Sequence, residues 1–211
     1  MTFNDKQLQI LTTAEQLFAL RGFDGTSVRD ISEAAGVNVA MISYYFGSKE
    51  KLIEALFEFR IGFLAERMEL LLKDNTLTPL QKIGVLIDEH IDRAFASDRR
   101  SFFIIMTTEQ LINKTPSILK KISELKKRTL DLLSELVQEG QVKGQFKKKI
   151  DFFLMLNTMV GTVSQTMCSQ QLIRDLNNQQ DMPEDDFIKQ LKRKLSIHIQ
   201  TLVKAILNYE A

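Results

Sequence analysis

The chain of 211 residues is long enough for one large or two small domains. Hydrophobic residues make up 44% and charged residues 26%, which is typical of a soluble globular protein. A formal net charge of +1 does not mark the whole chain as nucleic-acid binding, and the single cysteine, Cys168, excludes an internal disulfide framework and fits a reducing cytoplasm.

Two further classes are excluded by the pattern of apolar residues. The chain has no apolar segment of the signal-peptide type near residue 1 and no run approaching ~18 apolar residues, so we expect neither secretion nor a membrane-spanning helix. No alternating β-branched segments bounded by turns occur, and three prolines and nine glycines leave few breaks. The sequence therefore predicts an all-α protein of about nine helices, located in the cytoplasm.

The first predicted helix covers about residues 4–21. Apolar residues recur there at steps of three and four, and Arg21 with Gly22 supplies a cation and a glycine at its end. We expect this helix to bury the back of the two short helices that follow, which could not bury enough apolar surface alone.

Residues 26–46 are predicted to form two short helices around Gly36. Thr26 and Ser27 can cap the first helix, and Asn38 can cap a second that begins near Val39. Gly36 can adopt the left-handed conformation that turns the chain between them. The spacing is that of a helix-turn-helix, whose second helix is offered to the major groove of DNA.

The same residues carry a family resemblance. The run from Ala19 to Leu56 contains G-F-D-G-T-S-V-R-D-I-S-E-A-A-G-V followed by Y-Y-F-G-S-K-E-K-L, and it resembles the TetR family of transcriptional regulators. The resemblance implies a three-helix DNA-binding domain at residues 1–48 and a larger helical domain at residues 49–211 for ligand binding and dimerisation. A helix from about residue 49 links them. The family often has tyrosine at the position of Ser43 and histidine at that of Tyr44, so individual DNA contacts can differ.

Base-reading side chains are expected at the exposed start of the second helix. The candidates are Asn38, Val39, Ala40, Met41, Ser43 and Tyr44. Asn38 can contact a base edge or a phosphate, or simply cap its own helix. The apolar run Val39–Met41 can touch thymine methyl groups, although three apolar residues would be unremarkable in a buried helix.

Phosphate contacts are expected from hydroxyls and a lysine near helix N-termini. The candidates are Thr26, Ser27, Tyr44, Tyr45 and Lys49. The alternative is that Thr26 and Ser27 only cap and that Tyr45 packs in the small core. Residues 1–60 contain six lysines and arginines against eight aspartates and glutamates, a net charge of −2. Positive potential must therefore come from helix N-termini and from the placement of Lys49, Lys51 and Arg29.

The remaining chain is predicted to be helical in six segments. Their approximate limits are residues 49–72, 79–98, 102–111, 116–140, 151–172 and 184–209. The pairs Thr78–Pro79 and Thr115–Pro116 combine a cap with proline at the first helical position, and so mark two of the starts.

The last two predicted helices favour a dimer. One has a line of small or uncharged residues, Asn157, Gly161, Ser164 and Cys168, which permits close helix packing. The other has two apolar lines, and therefore needs two partners. One of those lines includes Leu195, His198, Leu202 and Ile206. A two-fold four-helix bundle would satisfy both helices, and the resemblance places the dimer there.

A pocket for a small apolar effector is a further prediction for the C-terminal region. Flexible and aromatic side chains suit such a cavity, although they equally suit an ordinary core. The candidate lining residues are Phe59, Phe63, His90, Phe103, Met106, Met155 and Met159.

The sequence offers no catalytic residues, metal site or cofactor motif. His90 and His198 lie far apart in sequence, and no metal-ligand spacing is present. We expect a homodimeric repressor that binds a palindromic double-stranded operator and is released by its effector. An activator of the same family, a helical interaction protein, or an enzyme using the C-terminal cavity remain alternatives.

Overall fold

The computed structural model describes residues 3–96, 100–109, 115–146 and 149–208, except for the side chains of residues 63, 64, 100 and 208. These residues form ten helices, where the sequence predicted about nine, and no strand occurs among them, as predicted. The helices are α1 (Asp5–Arg21), α2 (Val28–Ala34), α3 (Val39–Phe46), α4 (Lys49–Lys73), α5 (Pro79–Ala94), α6 (Arg100–Thr108), α7 (Pro116–Val142), α8 (Phe152–Cys168), α9 (Gln170–Leu176) and α10 (Glu184–Asn208).

The chain divides into two compact units. The first combines Met1–Phe63 with Asp98–Lys127. It therefore contains α1, α2, α3, α6 and the first parts of α4 and α7. Its core joins buried side chains of the N-terminal helices to Phe102 and Ile105 on α6 and to Ile118 and Ile122 on α7. The N-terminal helices share one apolar core with residues that follow them by more than fifty positions.

The second unit combines Leu64–Ser97 with Arg128–Ala211. It contains α5, α8, α9, α10 and the remaining parts of α4 and α7. Its core is built from leucine, isoleucine and methionine side chains, including Leu86, Leu136, Met155 and Ile199. The compact units do not follow the predicted boundary at residue 48. That boundary separates DNA binding from ligand binding and dimerisation, and it stays a prediction.

Two helices begin with reciprocal capping bonds, α5 at the predicted cap Thr78 and α1 at Asn4, which was not predicted as a cap. The Asn4 and Thr78 side chains accept from the backbone N–H groups of Gln7 and Gln81, and the two glutamine side chains accept in return from the cap N–H groups. Pro79 occupies the first turn of α5, where its missing N–H costs no hydrogen bond. These reciprocal bonds fix where α1 and α5 begin.

The predicted helix at residues 151–172 is interrupted. α8 ends at Cys168, and α9 begins at Gln170 after Ser169. The hydroxyls of Thr158, Thr162 and Thr166 each donate to the carbonyl four residues earlier on α8. Such back-bonding slightly weakens helices and often bends them, and the break follows the last of these threonines by three residues.

Candidate nucleic-acid interface

Residues 26–46 form the predicted helix-turn-helix. The Ser27 hydroxyl accepts from the N–H of Asp30, and the Asp30 carboxylate accepts from the N–H of Ser27, which starts α2. Gly36 has φ of +60°, a conformation that favours glycine, and the N–H of Val37 donates to the carbonyl of Ser32 at 3.0 Å. Ile31 and Ile42 are buried in the angle between α2 and α3.

One face of α3 is exposed and uncharged. Tyr44 is 83% exposed and Val39 38% exposed, whereas Ile42 is buried. Asn38, Ala40 and Ser43 are also exposed, and Met41 is half-buried. No residue from 37 to 48 carries a charge. This face offers hydroxyls, methyl groups and one amide to a partner.

The amide of Asn38 is engaged with its own helix. Its Oδ1 accepts from the backbone N–H of Ala40 at 2.9 Å, so Asn38 caps α3. The capping role that the sequence left open is therefore present. The amide nitrogen of Asn38 can still donate to a base edge or to a phosphate.

Thr26 and Ser27 both use their side chains in hydrogen bonds within the protein, although Ser27 is exposed. Thr26 is buried, and its hydroxyl donates to the carbonyl of Gly22 at 2.9 Å, while Ser27 bonds to Asp30 through both its hydroxyl and its N–H. The Thr26 side chain thus neither caps α2 nor lies exposed, which differs from its predicted position. Bonds from the Ser27 hydroxyl and N–H also lower the pKa of the Asp30 carboxyl, and this negative charge beside Ser27 disfavours a phosphate.

Lys49 also points inward. Its Nζ donates to the carbonyls of Phe23 at 2.9 Å and Thr26 at 3.0 Å, and it lies 4.3 Å from the centroid of the Phe23 ring. The ammonium therefore ties the start of α4 to the loop between α1 and α2. No local sequence pattern predicts this contact, because the bonded carbonyl groups lie 23 and 26 residues earlier in the chain.

The two tyrosines of α3 occupy different environments. Tyr45 is half-buried against the first unit's core. Its ring centroid lies 5.2 Å from that of Tyr44 and 6.4 Å from that of Phe46. Packing in the core, the alternative stated for Tyr45, is therefore present. Tyr44 leaves its hydroxyl and most of its ring open, and it is the most accessible aromatic group of the predicted set.

One exposed cation lies within the helix-turn-helix and another lies shortly after it. Arg29 is exposed in the first turn of α2, and Lys51 is exposed in the first turn of α4. Lys51 pairs with Glu54 at 2.7 Å, and this pair raises the pKa of Lys51. The sequence analysis names Arg29 as a source of positive potential but not as a DNA contact. Because its side chain is exposed, Arg29 is an additional candidate for a phosphate contact.

The predicted pocket residues belong to both compact units. Phe59, Phe103 and Met106 are in the first unit, all three half-buried. His90, half-buried, and Met155 and Met159, both buried, are in the second. The side chain of Phe63 lies outside the described part of the chain. The pocket stays a prediction.

The predicted dimer residues are divided between exposed and buried positions. On α8, Asn157, Gly161 and Cys168 are exposed and Ser164 is half-buried. On α10, His198 is exposed, but Leu195 is buried in the second unit's core, and Leu202 and Ile206 are half-buried. Leu195 thus faces its own subunit. The sequence missed Leu154 and Ile197, the large exposed apolar residues of these two helices near Gly161 and His198.

Two negative findings apply to the described residues. No group of three or more histidine, cysteine, aspartate or glutamate side chains there could hold a metal ion. No helix of that part of the chain is long and apolar enough to cross a membrane.

Comparison with known proteins gives two family matches. The sequence model described as "Bacterial regulatory proteins, tetR family" matches residues 10–56, which contain the helix-turn-helix. The model described as "YsiA-like protein, C-terminal region" matches residues 57–182. Together they cover α2, α3 and most of the remaining helices.

Similar proteins include regulators of fatty acid metabolism. The fatty acid metabolism regulator protein of Bacillus subtilis (strain 168) is 30% identical over 162 residues, which are 77% of this chain and 81% of that protein. The FadR structure from Bacillus subtilis, in complex with stearoyl-CoA, has a TM-score of 0.65 and 25% identity and covers 95% of this chain and 99% of its own. FadR from Bacillus halodurans, at 24% identity and a TM-score of 0.70 over 95% of this chain and 97% of its own, has the same fold.

Proposed function

Since the chain belongs to the TetR family of DNA-binding transcriptional regulators, we propose that it is a homodimeric repressor released from a palindromic operator by a small-molecule effector. The observation that carries this proposal is the exposed, uncharged face of α3 in a complete helix-turn-helix. In this proposal residues 1–48 bind double-stranded DNA in the cytoplasm, and residues 49–211 bind effector and form the dimer.

DNA binding is supported by the chemistry left exposed around α3. The Tyr44 hydroxyl, the Ser43 hydroxyl and the Asn38 amide nitrogen can donate to phosphates or bases, and Arg29 supplies a cation. The N-terminus of α3 adds the positive end of the helix dipole. A dimer presents two α3 helices to successive major grooves, so modest contacts in each half-site combine into specific binding.

Dimerisation is supported by exposed apolar surface on α8 and α10. These helices contact each other, yet Leu154 and Ile197 remain exposed on them. Gly161 on α8 is exposed, and a Cβ there would have no atom within 4 Å. A second copy packing on these helices covers the exposed leucine and isoleucine and uses Gly161 for close approach.

The effector is proposed to be a long-chain acyl thioester. The support is the relative that is 30% identical over most of both chains and is a fatty acid metabolism regulator, together with the stearoyl-CoA complex of FadR from Bacillus subtilis. Methionine side chains adapt their shape to flexible apolar ligands, which makes Met155 and Met159 the first positions to substitute. The effector acts only through its different affinities for the DNA-bound and released states.

Operator selection tests the DNA-binding part. Purified full-length protein is incubated with a randomised duplex pool, bound DNA is enriched through several rounds, and retained duplexes are compared in gel shifts. We expect a palindromic sequence to enrich, and the complex to contain two chains by light scattering. Failure to enrich any duplex, together with a monomeric protein in solution, contradicts the proposal.

The effector part is tested on the selected duplex. Stearoyl-CoA is expected to release the protein, whereas coenzyme A alone leaves the complex intact. Met159→Glu should weaken release by stearoyl-CoA and retain operator affinity, and a circular dichroism spectrum checks that the variant is folded. If coenzyme A and stearoyl-CoA act equally, the acyl chain is not what the protein recognises.

A further inference from the structure

We propose that the protein reads its operator half-site through thymine 5-methyl groups, which Val39 and Ala40 contact, so that A·T pairs occupy the base pairs facing the start of α3. This inference rests on the proposed function and adds the chemistry by which the DNA is recognised. It follows from what the exposed face of α3 lacks as much as from what it contains.

Guanine recognition has no suitable side chain on this face. The usual bidentate contact to guanine comes from arginine or lysine, and residues 37–48 contain neither. Lys49 is the next cation along the chain, but its ammonium donates to the carbonyls of Phe23 and Thr26. Withdrawing it would break both hydrogen bonds and leave the partly buried carbonyl of Thr26 without this donor, which is unfavourable.

Adenine recognition by an amide is also disfavoured. The bidentate contact to adenine uses both the oxygen and the nitrogen of asparagine or glutamine. Asn38 is the amide of this segment, and its Oδ1 caps α3 through the N–H of Ala40 at 2.9 Å. The cap turns the amide oxygen of Asn38 towards its own helix. The amide nitrogen can still donate, but the donor and acceptor that a bidentate contact to adenine requires are not both available.

The hydroxyls of Ser43 and Tyr44 do not discriminate strongly between bases. A hydroxyl rotates and can either donate or accept, so it satisfies acceptors and donors alike. These groups suit phosphates or single bonds to several bases. They supply affinity without a strong preference for one base pair.

Methyl contact is the selective chemistry that remains on α3. Val39 and Ala40 are both exposed at the N-terminal end of α3, the part of such a helix that contacts base edges. Valine on a helix has essentially one rotamer, so its two methyl groups are held in place before DNA binds. The thymine 5-methyl is the apolar group on the major-groove edges of the base pairs. Burying one against Val39 or Ala40 favours thymine over the other bases.

The test removes methyl groups without removing A·T pairs. In the duplex enriched from the randomised pool, each thymine is replaced in turn by deoxyuridine in both half-sites, and full-length protein is titrated against each. Loss of one methyl contact should weaken binding about threefold to fivefold. Loss of the equivalent contact in both half-sites should weaken it by about tenfold or more. Replacing a sensitive T·A pair by 5-methylcytosine·guanine should bind more tightly than cytosine·guanine at the same position.

A matched pair of valine variants identifies the contacting residue. Val39→Ala should reduce the deoxyuridine penalty at one thymine of each half-site, because the methyl no longer has its partner. Val142→Ala, the same change at a residue of α7 that is 88% exposed, should keep the full penalty. If Val39→Ala does not fold, the deoxyuridine series on the natural chain still decides the question.

Three outcomes overturn the inference. An A·T preference that persists with deoxyuridine indicates readout of DNA shape. Enrichment of G·C pairs facing the start of α3 indicates readout by a hydrogen-bonding side chain in place of methyl contact. In both cases the protein binds DNA, and the proposed function stands. Failure to enrich any duplex removes the proposed function, and the inference with it.

Discussion

Arg60 on α4 and Glu15 on α1 form a buried ion pair inside the first unit. The Nε and Nη2 of Arg60 lie 2.8 and 2.6 Å from the Oε2 of Glu15, and both side chains are almost fully shielded from solvent. Neighbouring residues of α4 contact two further helices of this unit. The ring centroids of Phe57 and Phe102 of α6 lie 5.3 Å apart, and Glu58 forms an ion pair with Lys121 of α7 at 2.7 Å. One turn of α4 thus contacts α1, α6 and α7.

Breaking the Arg60–Glu15 pair should strongly destabilise the protein. Arg60→Met leaves a buried carboxylate without that cation, which costs about 3–5 kcal/mol in the free energy of unfolding. Urea denaturation followed by circular dichroism measures it. Glu15→Leu combined with Arg60→Met should be less destabilised than Arg60→Met alone, because the Glu15 carboxylate is then no longer buried without Arg60. Lys51→Met, which removes an exposed pair, should cost under about 1 kcal/mol.

Lys49→Met should weaken DNA binding without changing its salt dependence. The ammonium holds the loop before α2 instead of lying exposed, so its loss removes two internal hydrogen bonds and about 1–3 kcal/mol of stability. Affinity for the selected duplex is measured from 50 to 200 mM salt. Arg29→Ala provides the comparison, since loss of an exposed cation that contacts phosphate lowers the slope by about one per half-site. A lower slope for Lys49→Met would show that Lys49 reaches the DNA.

Tyr44→Ala and Tyr45→Ala should separate binding from stability. Tyr44 is largely exposed, so its removal should reduce operator affinity at least tenfold (about 1.4 kcal/mol) and change unfolding by no more than about 0.5 kcal/mol. Tyr45 packs against Phe46 and the core, so its truncation should lower the melting temperature. Gel shifts and thermal unfolding of both variants are the measurements. Equal loss of stability in the two variants contradicts the assignment.

The Ser27–Asp30 cap should make stability depend on pH at the acidic end. The pKa of Asp30 is lowered in the folded protein by bonds from Ser27, so its contribution is present above the unfolded pKa of about 3.8 and is lost as pH falls through the lower folded value. Thermal unfolding of the natural chain and Asp30→Asn should differ at pH 6 and converge only as the pH falls below the lowered pKa of Asp30. A difference that stays constant with pH would assign the effect to something other than this carboxylate.

Ile197→Glu should separate the proposed dimer into monomers. A carboxylate on exposed α10 surface is harmless in a monomer, but it becomes a buried charge when a second copy covers it. Light scattering on a sizing column gives the mass, and far-ultraviolet circular dichroism checks helicity. Leu20→Glu, at an exposed position of α1, should remain dimeric. If both variants keep the mass of the natural chain, the interface lies elsewhere.

Local chemistry was predictable, and long-range contacts were not. Caps at Ser27, Asn38 and Thr78 could be predicted from neighbours within three residues. The inward positions of Thr26 and Lys49 depend on carbonyls 4 to 26 residues away, which no local pattern reveals.

The faces of α8 and α10 show the same limit. An apolar line at helical spacing identifies a buried face, but it does not say whether the subunit or a partner buries it. Leu195 is covered by its own subunit, whereas Ile197, two positions on, is exposed. The break between Cys168 and Gln170 was not predicted, because no glycine or proline marks it in the sequence.

The shared core of the first unit restricts how this protein can be recombined with others. Phe102 and Ile105 of α6 and Ile118 and Ile122 of α7 complete the core that the N-terminal helices begin. A chimera that grafts only residues 1–48 onto another sensor domain therefore leaves that core open to water. Transfer of operator specificity would succeed better by exchanging the exposed residues of α3 within an intact recipient than by exchanging whole domains.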